Sequence, residues 1–151
     1  MKKFTLLVLA AILFISACTI PKNDSEQAEH VLIAFFDFLN RGQYDESAEL
    51  YGGGYELLVE FNPALDPADH PALLKNGCEI NGLQCLTVLT ADFKEITSEG
   101  AYLFLVQFKN ADGELFVQQT PNAPPAFTFE YRVLKTSDGN FVVLDMPVYV
   151  N

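Results

Sequence analysis

Basic residues are scarce in this chain. Only 9 Lys and Arg stand against 20 Asp and Glu among 151 residues, which gives a formal net charge of −11. Binding to a nucleic-acid backbone depends on Lys and Arg side chains that neutralise phosphates, and a strongly acidic protein repels those phosphates instead. The composition therefore excludes nucleic acid as a partner.

Histidine and cysteine are also rare, and tryptophan is absent. The chain has two histidines, His30 and His70, and three cysteines. Structural zinc sites need about four Cys or His ligands in paired spacings, and the sequence offers no second cysteine pair. We therefore expect no metal site and no cofactor. The 50% of hydrophobic residues is enough for one packed domain.

The hydrophobic run at residues 4–15 is too short to cross a membrane. It holds 12 residues, of which only Thr5 is polar, whereas a spanning helix needs about 20. Lys2 and Lys3 precede the run, and the small residues Ser16 and Ala17 follow it. A positive start, a short apolar core and small residues are typical of an export signal. The sequence predicts a signal peptide over residues 1–17.

The segment Ile15-Ser16-Ala17-Cys18 resembles the lipobox of bacterial lipoproteins. The resemblance implies that Cys18 carries a diacylglycerol, that the signal is cut before Cys18, and that the new N-terminus is acylated, for example with palmitate. One acyl chain holds a protein only marginally, so two or three are needed. The predicted location is the bacterial cell membrane or outer membrane, and Thr19 leaves both open. The alternative is an ordinary secretory signal followed by a chance cysteine.

A lipidated Cys18 divides the rest of the chain into a tether and a domain. Residues 18–23 form the tether and residues 24–151 the domain, with 20 acidic and 7 basic side chains from Cys18 onward. Cys78 and Cys85 then remain as a pair, and the Asn-Gly dipeptide between them favours a tight turn. In an oxidising compartment we expect these two cysteines to form a structural disulfide. A redox-active pair is disfavoured because six residues intervene, where catalytic dithiols have two.

Helical periodicity marks the first half of the domain. Residues 24–40 carry an apolar stripe at helical spacing, and shorter helices are expected at 44–51 and 55–61. Residues 62–75 contain three prolines, so we expect a loop with at most one or two helical turns. Three glycines at 52–54 are read as a helix terminator, because a phosphate loop would need a following lysine.

Alternating periodicity marks the second half. Five strands are predicted, with short Gly- and Asn-containing links that indicate an antiparallel meander: 86–96, 101–109, 114–120, 127–135 and 140–148. One face of the predicted sheet is strongly aromatic and needs a cover, which the helix at 24–40 supplies. The expected fold class is α+β, with N-terminal helices packed on a curved antiparallel β-meander.

This order of elements resembles the NTF2-like superfamily, whose members form an α+β cone. At the level of residues, Asn40-Arg41-Gly42, Gln43-Tyr44-Asp45, Ala48 and Leu50 resemble its opening helix, glycine break and second helix. The resemblance implies an NTF2-like domain over residues 24–151. Relatives include isomerases, dehydratases and epoxide hydrolases, and also members that only bind or assemble.

Two functions remain open at this point. A converging set of polar groups, as catalysis requires, is not recognisable, because His30 and Asp37 fall on the outer side of the first helix. The first hypothesis is therefore a non-enzymatic binding or assembly module. The second is an enzyme or carrier for a small apolar molecule held in the cone, with Asp92, Asp145 or a tyrosine as its polar anchor. Residues that either fill the core or line this pocket are Phe35, Phe104, Phe108, Phe129 and Tyr131.

The expected partners follow from these hypotheses. The lipid on Cys18 places the protein on a membrane, and the domain then meets a small apolar ligand, another protein or a second copy of itself. No catalytic residue is assigned.

Overall fold

A computed structural model describes residues 22–121 and 123–150. Within this part the chain forms an α+β fold of four helices and a four-stranded antiparallel sheet. The predicted signal peptide and Cys18 lie outside the described residues. The helices are α1 (Lys22–Asn40), α2 (Tyr44–Glu49), α3 (Glu56–Phe61) and α4 (His70–Glu79), and the strands are β1 (Thr87–Ile96), β2 (Tyr102–Lys109), β3 (Phe129–Lys135) and β4 (Phe141–Val143).

The sheet is the meander that the sequence predicts. Strands follow one another in the order β1-β2-β3-β4, and each neighbouring pair is antiparallel. Gly100 and Gly139 have positive φ angles in the β1–β2 and β3–β4 turns, where a residue with a side chain would be strained. In the register, Phe104 of β2 lies between Phe93 of β1 and Tyr131 of β3.

Two of the five predicted strands differ from the structure. Residues 114–120 form no regular strand, only isolated pairings of Leu115 with Lys109 and Gln118 with Ala126. Prolines at 121, 124 and 125 lack backbone N–H donors, so residues 121–125 cannot extend the pairing of Gln118 with Ala126 into a ladder. The last predicted strand, 140–148, is a strand only over β4.

The chain leaves the sheet after β4 because its backbone finds other partners. Gln84 N donates to Val148 O at 2.7 Å, and Val150 N donates to Gly82 O at 3.0 Å. The C-terminal residues therefore pair with the loop that precedes β1.

Helix α4 is longer than the sequence indicated. Residues 62–75 were expected to be a loop with up to two helical turns, yet α4 has 10 residues and includes Cys78. Asp69 caps it, since its carboxylate accepts from Ala72 N at 3.1 Å. Pro71 lies in the first turn, where the missing N–H would have had no helical partner.

The predicted disulfide is present. Cys78 at the end of α4 is bonded to Cys85, just before β1, with 5.6 Å between their Cα atoms. Gly82 between them has a φ of +91°, as the Asn-Gly pair suggested. The disulfide thus joins the helical half of the chain to the sheet.

Helix α1 covers the aromatic face of the sheet. Its stripe meets the inward side chains of the strands, and the core is continuous between them. None of the four described helices is both long and apolar enough to span a membrane. The fully buried side chains of this interface include Leu32, Phe35, Phe36, Leu39, Phe104, Val106, Phe108 and Val133.

Candidate functional site

The aromatic residues considered for a pocket lie in or beside the packed core. Phe35, Phe104, Phe108 and Tyr131 are at most 2% exposed, and Phe129 is half-buried. Their rings contact one another and the rings beside them. Phe36, for example, lies 4.7 Å from Phe108 and 5.0 Å from Tyr131 between ring centroids. These side chains fill the space beneath α1, and the grooves described below are lined by other residues.

A groove of about 630 Å³ opens between α1, the end of α2 and the β3–β4 hairpin. We call it the hairpin groove. Its apolar lining comes from α1, from the residue that follows α2 and from β4, and the rest of its lining is mainly polar. The apolar residues are Val31, Leu50, Phe141 and Val142, and the polar residues include Gln27, His30, Glu49, Thr136, Asp138 and Asn140.

The hairpin turn places a stable negative charge at this groove. Hydrogen bonds from the Thr136 hydroxyl and from Asn140 Nδ2 lower the pKa of the Asp138 carboxyl below its ordinary value. The same turn is closed by Thr136 N, which donates to Asn140 O at 2.8 Å. Asp138 therefore stays ionised at neutral pH beside an otherwise mixed apolar and polar surface.

The first turn of α1 is fixed to the hairpin. Asp24 accepts a hydrogen bond from Lys135 Nζ at 2.8 Å and one from the Tyr102 hydroxyl at 3.5 Å. The Lys135 ammonium also lies 5.4 Å from the ring centroid of Phe141. These contacts hold two walls of the hairpin groove at a set separation.

A second groove, of about 590 Å³, lies where α3 and α4 begin. We call it the His70 groove. The His70 imidazole stacks on the Tyr55 ring, with 3.9 Å between centroids and 6° between planes. Tyr51 packs edge-on against the same Tyr55 ring at 5.1 Å. The other lining residues are Gly53, Gly54, Glu56, Val59 and Glu60.

The Tyr55 hydroxyl is a polar group without a protein partner. It is buried, and it has no hydrogen-bond partner among the described residues. Burial raises the pKa of Tyr55 to about 12, so the phenol remains neutral. A buried hydroxyl without a partner is uncommon in a native protein and requires an explanation.

The other polar residues singled out from the sequence have local roles. Asp37 pairs with Arg41 at 3.3 Å, and Asp145 pairs with Arg132 at 2.7 Å. Asp92 is exposed on β1. Within residues 22–121 and 123–150, no three Cys, His, Asp or Glu side chains come together as metal ligands.

Sequence reasoning missed both grooves. His30 was correctly placed on the outer side of α1, but nothing local showed that the β3–β4 hairpin approaches that side. His70 and Tyr55 are 15 positions apart, and their stacking depends on α4 beginning at His70. The three prolines in residues 62–75 favoured a loop, so the start of α4 at His70 was not predicted.

Comparisons with known proteins add no relative. No protein family, no curated protein and no solved structure matches this chain. The two grooves and the N-terminal sequence are therefore the observations that bear on function.

Proposed function

We propose that the protein is a lipid-anchored component of the bacterial cell envelope whose domain is a non-enzymatic binding module. The hairpin groove is its ligand site. The observation that carries the ligand site is the contrast between the filled space beneath α1 and the open groove of about 630 Å³ beside it. An apolar lining with a few polar groups around it is the usual composition of a small-molecule site.

The architecture supports an NTF2-like assignment for the domain. Helices α1 and α2 precede an antiparallel meander, and α1 packs across its inward face, which is the arrangement of that superfamily. In this chain the ligand site would lie beside α1 and not beneath it, because aromatic rings occupy the interior.

The anchor would hold the hairpin groove close to the lipid. Helix α1 begins at Lys22, four residues after Cys18, and four extended residues span at most about 14 Å. The first turn of α1 contacts the hairpin through Asp24 and Lys135. A ligand drawn from the membrane or its surface would therefore have a short path to the groove.

The anchor is tested by a substitution at Cys18. We expect Cys18→Ser to abolish labelling with radioactive palmitate and to move the protein from the membrane fraction to the soluble fraction. Ser16→Ala keeps a small residue before the cysteine and should remain labelled and membrane-bound. Continued palmitate labelling of the Cys18→Ser protein would contradict lipidation at this site.

The ligand site is tested with a neutral apolar fluorophore, N-phenyl-1-naphthylamine, and the protein in lipid nanodiscs. After subtraction of empty nanodiscs, we expect saturable binding that Val31→Gln weakens about tenfold, or about 1.4 kcal/mol. Leu89→Gln changes an exposed residue on β1 outside the groove and should leave the affinity unchanged. Equal affinities for the two variants would contradict a site in the hairpin groove.

A further inference from the structure

We propose that the His70 groove is a second binding site, specific for a guanidinium group. The inference is independent of the hairpin groove and of lipidation. It rests on the combination of a stacked aromatic pair, two carboxylates and a concave surface that these residues share.

The aromatic part of the site is rigid. His70 and Tyr55 are stacked almost parallel at 3.9 Å, and Tyr51 supports Tyr55 from the other side. Tyr51 is itself fixed, since its hydroxyl donates to Gly54 O at 3.1 Å. His70 is exposed, so its stack with Tyr55 presents an aromatic surface to the groove. Planar guanidinium groups stack on such surfaces more readily than ammonium groups do.

The carboxylates supply the charge. Glu56 and Glu60 are one helical turn apart on α3, both are exposed, and both line the groove. In the part of the chain that the structure describes, no Lys, Arg or His nitrogen lies within ion-pair distance of either one. A guanidinium ion offers five N–H donors in one plane, which match carboxylate oxygens in pairs.

Gly54 leaves room for one of these carboxylates. A Cβ atom on Gly54 would overlap the Glu56 carboxylate, so the absence of a side chain allows Glu56 to lie against this wall.

A guanidinium group can come from a free metabolite-sized compound or from an arginine side chain in a peptide. Methylguanidine represents the first source and N-acetylarginine methylamide the second. Affinities of the two probes within about threefold of each other assign the site to the free group. A markedly tighter N-acetylarginine methylamide assigns it to arginine in a peptide. Either result supports the guanidinium site.

Binding is measured by calorimetry on the full chain in a nonionic detergent, with two matched ligand controls. The citrulline analogue has the same planar shape without the charge, and the lysine analogue has the charge without the plane. We expect saturable binding of N-acetylarginine methylamide, at least tenfold weaker binding of the citrulline analogue, and weaker binding of the lysine analogue. Absence of saturable binding by both guanidinium probes, or equal binding of the citrulline analogue, would overturn the proposal.

Protein variants distinguish binding in the His70 groove from attraction to the negative charge of the whole chain. Glu56→Gln with Glu60→Gln should weaken binding at least tenfold, whereas Glu95→Gln with Glu114→Gln removes two exposed carboxylates elsewhere and should leave it unchanged. His70→Ala should weaken binding, and His70→Phe should restore it because the stacked ring is kept. Equal losses in the two double variants would show unspecific attraction and overturn the proposal. Circular dichroism of each variant verifies that it is folded.

Discussion

Arg132 and Asp145 form a two-pronged ion pair at the point where the sheet ends. Arg132 Nη2 lies 2.7 Å from Asp145 Oδ1, and Arg132 Nε lies 3.1 Å from Oδ2. The same Oδ2 accepts the backbone N–H of Arg132 at 2.7 Å. These hydrogen bonds with Asp145 raise the pKa of Arg132 above its ordinary value. One carboxylate thus continues the pairing of β3 beyond the last residue of β4.

Removal of this carboxylate should destabilise the fold. We expect Asp145→Ala to lower the free energy of unfolding by about 1–3 kcal/mol, because a backbone N–H and a guanidinium lose their acceptor. Glu99 also faces Arg132, at 3.7 Å, but its side chain is 74% exposed. Glu99→Ala should therefore cost less than about 0.5 kcal/mol. Urea unfolding of both variants provides the measurement, and equal losses would contradict a specific role for Asp145.

Loss of the disulfide between Cys78 and Cys85 should destabilise the fold. Cys78 and Cys85 are 7 positions apart. The loop-entropy relation gives about 2.5 kcal/mol for a loop of this size. We expect the double variant Cys78→Ser with Cys85→Ser to unfold at correspondingly lower urea. A reducing agent should shift the parent protein to the same midpoint and leave the variant unchanged, and a parent that does not respond would contradict the prediction.

The adjacent glycines 53 and 54 should differ sharply in their tolerance of alanine. A Cβ atom at Gly53 would overlap the backbone oxygen of Leu144 and the hydroxyl of Tyr51, neither of which can move freely. Gly53→Ala should therefore cost about 1–3 kcal/mol. A Cβ at Gly54 meets only the flexible end of Glu56, so Gly54→Ala should cost less than about 1 kcal/mol. Thermal unfolding compares the two, and similar midpoints would refute the prediction.

Stability should fall in alkaline solution because of the tyrosines. Burial raises the pKa of Tyr55 to about 12 in the folded protein, whereas its ordinary value is 10.0. The folded state therefore holds this proton more tightly than the unfolded state. Its contribution is complete below about pH 10 and is lost as the pH rises toward about 12. Four further tyrosines shift in the same direction, mainly through burial: Tyr44, Tyr51, Tyr102 and Tyr131.

Urea unfolding below this pH range and within it measures the effect. We expect Tyr55→Phe to lose less stability between about pH 9 and pH 11 than the parent protein does. Tyrosinate absorbance should rise together with unfolding. An identical pH dependence in the parent and the variant would show that Tyr55 ionises equally in both states.

Elements with a local signal could be predicted from the sequence. The stripe of α1 repeats every three to four residues, and Leu32, Phe35 and Leu39 are indeed buried. The alternation in β2 places Phe104 and Val106 on the inward face, as observed. Both patterns are read within one element, so no knowledge of its neighbours was needed.

Elements that depend on partners distant in the sequence could not be predicted in this way. The alternation at residues 114–120 resembles a strand, but pairing needs a neighbour with free backbone groups, and the prolines that follow remove donors there. Helix α4 was instead predicted as a loop, because Pro71 indicates a loop unless Asp69 is recognised as the helix cap. The grooves combine residues from separate elements, which no local pattern reveals.

The position of α1 also governs how the chain can fold as it is made. Helix α1 is the first of the described elements in chain order, yet it packs against β1, β3 and β4, and β4 ends at Val143. Synthesis proceeds from the N-terminus, so Phe36 is made long before Phe108 and Tyr131, whose rings pack against it. A nascent chain that stops short of Phe108 leaves Phe36 without its ring contacts to Phe108 and Tyr131, and exposed apolar surface of this kind favours aggregation. Helix α1 can therefore complete its packing only after β4 has been released.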